Sequence, residues 1–343
     1  MNNTIAKFIL AIISAFPFCF TPPVFADDIV FYRNQGVGVE SSTSGEIQQF
    51  LRSGLMIQLS SGQIKTIPSD WIVRIQTNRP ETYREGLLRM EQGEYAQAVP
   101  LLEKAFSQIE SPWLKMELLA NLIECNTHLD KMEDAAMQYA LLLQTEPQSA
   151  YYTAVPLIWT SAQGSSRMRQ TAQKWIRQQN FPFVALLGAS WLQVGENQRE
   201  ALSCLNSLVK SEDSVLSLLA EMQLKRIQLT AVSPEALLKQ RFRIDSLPKE
   251  LQFGPRFVTA QMGGRLGKTP ELSSDFLVIN YLQCAENKKT PVPLKERSLY
   301  SAGNTLLQFE QKEEAFRVFT QLLQKFPDSD WAEQAKRSAG GNL

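Results

Sequence analysis

The chain has 343 residues, with 35 lysines and arginines against 35 aspartates and glutamates, one histidine (His128), and 44 % hydrophobic side chains. The zero balance supplies no basic field for nucleic acid, and the apolar share is too high for a disordered chain. A single histidine excludes a site built from several histidine ligands.

Residues 1–26 read as a secretory signal peptide. Lys7 supplies a short positive region, and Phe8 to Phe16 is an apolar run. Val24 and Ala26 place small side chains three and one residues ahead of Asp27. Pro17, Pro22 and Pro23 interrupt the run, which is shorter than the ~20 residues a membrane span needs. The expectation is cleavage at about Ala26/Asp27, a periplasmic or secreted protein, and no transmembrane segment in the mature chain. Cys19 lacks the small neighbours of a lipid-attachment site. Cys125, Cys204 and Cys284 are odd in number and widely spaced, so they read as buried core thiols. One disulfide with a thiol left over is the alternative.

Residues 27–77 are strand-like. Ile29-Val30-Phe31-Tyr32 is rich in β-formers, and Leu55, Ile57 and Leu59 alternate with polar or flexible neighbours. Ser60-Ser61-Gly62 turns the chain into Gln63 to Ile67, and Trp71 to Ile75 makes a further strand. Four or five short strands, punctuated by Gly36, Gly38, Gly45 and Gly54, predict a small SH3-like barrel. A unit of this size is marginal on its own and is expected to pack on the adjoining C-terminal segment.

From residue 78 the apolar period becomes helical. Asn78 and Pro80 suit a helix start. The segment from Tyr83 and Gly86 through Gly93 and Ala98 to Ala105 and Pro112 resembles a tetratricopeptide repeat. A second copy carries Ile123, Asp130, Ala135, Tyr139, Leu142 and Pro147, and the best match carries Leu299, Ala302, Gly303, Ala315, Phe319 and Pro327. Second-helix anchors at Ala98, Ala135, Ala201, Ala236, Leu272 and Ala315 are separated by 37, 66, 35, 36 and 43 residues. These gaps fit a repeat of about 34 residues, with one unrecognised unit inside 150–185. The expected organisation is two repeats over 78–149, degenerate repeats over 150–295, and a last repeat with a capping helix over 296–343. The fold class is mainly α, a superhelix of six to seven helical pairs behind the β module. The combination resembles secreted or envelope proteins of bacteria.

The resemblance implies that first helices line a concave face that holds peptides. Carried across residue by residue, that face comprises Tyr83, Leu87 and Met90, then Ala120, Glu124 and Thr127, then Tyr300, Asn304 and Gln308. It lacks a lysine and arginine clamp for a carboxylate terminus.

Other candidate chemistry falls short. Gly263 to Thr269 is one residue short of a phosphate-binding loop and comes after a helical stretch, not a strand. His128 lies near a helix end with no nucleophile in view and reads as exposed or capping. Lys239 to Arg243 reads as a solvated helix end. The six tryptophans are spread through the chain and read as core. No catalytic residue, cofactor or metal is therefore expected. The reading is a non-catalytic scaffold for other proteins or peptides, or for a second copy of itself. The alternative is a cell-wall or polysaccharide enzyme using paired carboxylates, and the β module rather than the groove could be the binding surface.

Overall fold

The computed structural model describes residues 28–34, 38–160, 164–192, 195–228, 233–269 and 272–339. The expected leader, its cleavage site and Cys19 lie outside these residues.

Five antiparallel strands come first: β1 (Asp28–Arg33), β2 (Glu40–Leu51), β3 (Gly54–Gln58), β4 (Ile64–Pro68) and β5 (Ile72–Gln76). Their order is β4-β3-β2-β1-β5, so the last strand lies beside the first. β2 is long because it serves two neighbours. Its first half pairs with β1 and its second half with β3. Gly45 sits where the halves meet, and a Cβ there would come within 2.2 Å of the Gln58 carbonyl oxygen. Val30, Ile47, Leu55, Ile57 and Ile67 point inward and are almost fully buried. This core is too small to stand alone, and it runs on without a break into Tyr83, Ala98, Leu102, Trp113 and Leu118 of the first helices.

Fourteen α-helices come next among the described residues. The first four are α1 (Glu81–Glu91), α2 (Tyr95–Phe106), α3 (Pro112–His128) and α4 (Met132–Thr145). The middle five are α5 (Ser166–Trp175), α6 (Pro182–Trp191), α7 (Gln198–Leu208), α8 (Ser214–Gln228) and α9 (Pro234–Asp245). The last five are α10 (Phe253–Leu266), α11 (Ser274–Glu286), α12 (Val292–Gln308), α13 (Lys312–Lys325) and α14 (Asp330–Ser338). Hairpin pairs α1/α2, α3/α4, α6/α7, α10/α11 and α12/α13 pack closely. Small residues permit the approach: a Cβ on Gly86 would meet Leu102 at 2.8 Å, and one on Gly303 would meet Phe319 at 2.3 Å. In α8/α9 the tie is polar, through Glu221 with Arg243 at 2.7 Å and the buried Gln240 against Met222.

The intra-pair turn repeats in detail. Gly93, Asp130, Gly195 and Glu310 each take a left-handed backbone just before α2, α4, α7 and α13. After α1, α3 and α12 the next amide reaches back to close the helix, from Glu94 to Arg89, Lys131 to Asn126 and Gln311 to Leu306, at 2.8, 2.8 and 2.9 Å.

Two departures from the sequence reading have physical causes. The unit expected within 150–185 has one helix, not two. A short 3-10 turn (Ala150–Ala154) and an extended segment through Trp159 stand where a first helix would be, and α5 comes after them. Trp159 fills that slot, packing on Gly254 so tightly that a Cβ there would fall inside its ring. Leu272 is not a second-helix anchor. Gly267 ends α10 in a left-handed turn, Leu272 bridges back to Thr269, and Ser273 caps α11.

Hairpin and array are fastened together. Arg52, in the two-residue turn between β2 and β3, donates to Asp213 at 2.6 Å and lies 3.9 Å over the Tyr152 ring. Its amide donates to the Gln148 carbonyl at 2.7 Å. No helix among the described residues is long and apolar enough to cross a membrane.

Candidate functional site

The array turns back on itself, so that α3 faces the 3-10 turn at 249–251 and the loop ahead of α12. Between them lies a cavity of about 280 Å³. α3 supplies Glu117, Ala120, Asn121, Glu124 and Thr127, spaced to fall on one face of a helix. The segment 151–157 supplies Tyr151 and an apolar run, Glu250 and Phe253 come from the approach to α10, and Lys289 and Pro291 come from the loop. α3 is apolar on nearly all sides, since one side packs on α2 and α4 and another on the β module.

The polar groups are mostly paired. Arg79 donates to both carboxylate oxygens of Glu117 at 2.8 and 3.0 Å. Burial works to lower the Arg79 pKa, yet the Glu117 carboxylate outweighs it and holds the guanidinium above its ordinary value. Lys289 donates to Glu124 across 165 positions of sequence. Asn121 donates to the Tyr83 hydroxyl at 2.9 Å, and Thr127 donates to the Ile123 carbonyl at 2.7 Å. Burial raises the Tyr151 phenol well above its usual range.

Only the second-repeat residues of the expected face meet in this cavity: Ala120, Glu124 and Thr127. Tyr83 is fully buried and belongs to the core shared with the β module, while Leu87 and Met90 are half-buried against that core. Tyr300 packs at 5.0 Å on the Trp331 ring, Asn304 is half-buried, and Gln308 is exposed. Sequence reasoning missed Tyr151, Glu250, Phe253 and Lys289. Tyr151, Glu250 and Lys289 come from connections and Phe253 from the first position of α10, and nothing in their local sequence sets them apart.

Several expectations need correction. His128 is neither exposed nor a cap. It is buried, stacked on Tyr95 with ring centres 4.2 Å apart, and its Nε2 has no partner among the described residues. Burial, with Lys295 and Lys289 nearby, pushes its pKa down to about 4. Cys125 and Cys284 are buried as expected, but Cys204 is half-buried, and all three are free. Burial pushes their thiols up to about 12, 12 and 11, so they stay protonated and unreactive near neutrality. The basic cluster in α9 is ion-paired rather than merely solvated: Arg243 holds Glu221, and Arg241 reaches Asp245 at 4.0 Å. Gly263 and Gly264 lie inside α10, so a helix and not a strand leads into Gly267.

Comparison with protein families matches residues 297–329 to the tetratricopeptide repeat. That stretch covers most of α12, all of α13 and the turn into α14. Comparison with curated proteins gives no match.

Proposed function

We propose, from the premise that this is a tetratricopeptide repeat protein with a repeat at residues 297–329, that it is an exported, non-catalytic scaffold whose inner helical face docks a segment of another envelope protein. Tetratricopeptide repeats generally mediate protein–protein interaction and are generally non-catalytic. The single observation that carries the reading is the convergence of α3 and three distant connections on one small, mixed cavity. Repeat arrays that curl in this way present an extended inner surface to a partner.

Hydrolysis by paired carboxylates needs two such groups across one cleft with one of them free to hold a proton. Of the three carboxylates that line the cavity, Glu117 and Glu124 lie on the same helix and each already holds a cation. The third, Glu250, is solvent-exposed rather than enclosed in the apolar pocket of a general acid, and together these support binding over acid–base work. We read the sheet as an SH3-like barrel on its strand order, and its role as an anchor for the first repeats.

Affinity capture with residues 27–343 from the native envelope fraction, with identification of what co-purifies, tests the scaffold. A specific partner, or a second copy of the chain, is expected. Release of sugar from a glycan by the same preparation, with no partner retained, would overturn the reading. Export is tested by fractionating cells and sequencing the mature N-terminus. The expected first residue is Asp27, and a cytosolic chain beginning at Met1 contradicts it.

A further inference from the structure

We infer that the α3 cavity is a receptor for a primary alkylammonium group, the chemistry carried by a lysine side chain or by a free aliphatic diamine. The inference rests on the binding reading above and adds the ligand class.

The charge of the lining is the first ground. Three carboxylates, Glu117, Glu124 and Glu250, line the cavity with one cation, Lys289. Arg79 outside the lining pairs with Glu117 and Lys289 pairs with Glu124, which leaves an excess of one negative charge, at Glu250. Glu250 is exposed and has no ion pair among the described residues. The second ground is size and texture. About 280 Å³ is too little for a helix or a folded loop, but it suits one alkyl chain. The remaining lining is largely aliphatic, and the Tyr151 and Phe253 rings belong to it. Aromatic faces and carboxylates together favour an ammonium on an apolar stem.

The third ground is that the chain already places an ammonium there. Lys289 is 44 % exposed and Glu124 only 19 %, so the lysine bonds the carboxylate from the rim. Glu124 is therefore an ammonium acceptor in this fold, and its occupant is a loop residue rather than a helix residue. An incoming amine takes the Glu124 carboxylate by displacing Lys289, which makes the loop at 287–291 a built-in competitor.

The test titrates Nα-acetyl-lysine methylamide, its norleucine analogue, 1,5-diaminopentane and 1-pentanol into wild type, Lys289→Met and Lys289→Met/Glu124→Gln by calorimetry, with circular dichroism confirming the fold of each. Both amines are expected to bind, and the neutral analogues are not. Lys289→Met is expected to bind the amines up to about fivefold more tightly, the range in which a partly exposed ion pair competes. Adding Glu124→Gln is expected to weaken binding about tenfold or more, as loss of a charged hydrogen-bond partner does. A preference for the lysine derivative assigns the ligand to a protein side chain, and a preference for the diamine assigns it to a free amine. The proposal is overturned if the neutral analogues bind as well as the amines, if folded Lys289→Met gains nothing, or if no amine binds. Partner capture is scored separately. Capture without amine binding removes this proposal alone, and amine binding without capture removes the scaffold reading alone.

Discussion

Arg52 shows how much one turn residue can hold. Its guanidinium joins the β2–β3 hairpin to Asp213, and Asp213 in turn accepts the Val215 and Leu216 amides at 3.0 and 3.1 Å at the start of α8. Burial works to raise the Asp213 pKa, but the bonds from Arg52 and the two amides hold it below the ordinary carboxylate value. Arg52→Ala is expected to cost about 1–2 kcal/mol in urea unfolding, less than a fully buried pair because both side chains keep solvent contact. A double cycle with Asp213→Asn should show coupling, and strict additivity would remove the link. The depressed pKa gives stability that is present above pH 3.8 and lost as pH falls further.

His128 adds a second, earlier acid limb. The unfolded chain takes up its proton at about 6.5, while the folded chain resists until about 4. Stability is therefore full above 6.5 and declines as pH falls toward 4, by about 2 kcal/mol after screening. His128→Gln should flatten this limb, and an unchanged slope would show that His128 is not its source. Neither role is legible in the sequence. Arg52 sits among turn residues, and the burial of His128 comes from α2 and from the loop at 287–291, far away in sequence.

At the scale of elements, the left-handed turn and the small-residue contacts are what the sequence spells out. Gly86, Gly93, Asp130, Gly195 and Gly303 stand where the backbone needs them, because repeats reuse one helix-to-helix geometry. Gly303→Ala drives a methyl group toward the Phe319 ring and is expected to cost about 1–3 kcal/mol. Glu310 holds the left-handed position with a side chain that dislikes it, at φ 66. Glu310→Gly should stabilise the α12/α13 turn by up to about 1 kcal/mol, since the exposed Lys268 pair it loses is worth little. Thermal melts of both variants check the signs, and a destabilised Glu310→Gly would show the strain to be absent. The same rules fail at Leu272 and at 150–160. There an apolar residue or a tryptophan keeps its place in the spacing while the helix around it is replaced by a bridge or an extended segment. β2 is also hard to see, because its polar Glu40 to Ser44 run carries no alternation of large apolar residues.

At the scale of the whole molecule, closure matters more than repeat number. The sheet and the first repeats share one core, so a chain starting at residue 78 should melt several degrees earlier than one that keeps the sheet. An equal melting temperature would make the sheet an independent appendage. Half of the cavity is readable in the sequence, because α3 carries its residues at helical spacing. The other half is not, because Tyr151, Glu250 and Lys289 reach it only when the array turns back on itself. The claim that this inner face is the binding surface is tested most directly by two substitutions in one capture experiment. Ala120 lines the cavity and Phe242, 75 % exposed on α9, does not. With both variants folded, Ala120→Arg is predicted to release the captured partner while Phe242→Ser retains it. Retention by Ala120→Arg would place the binding surface elsewhere.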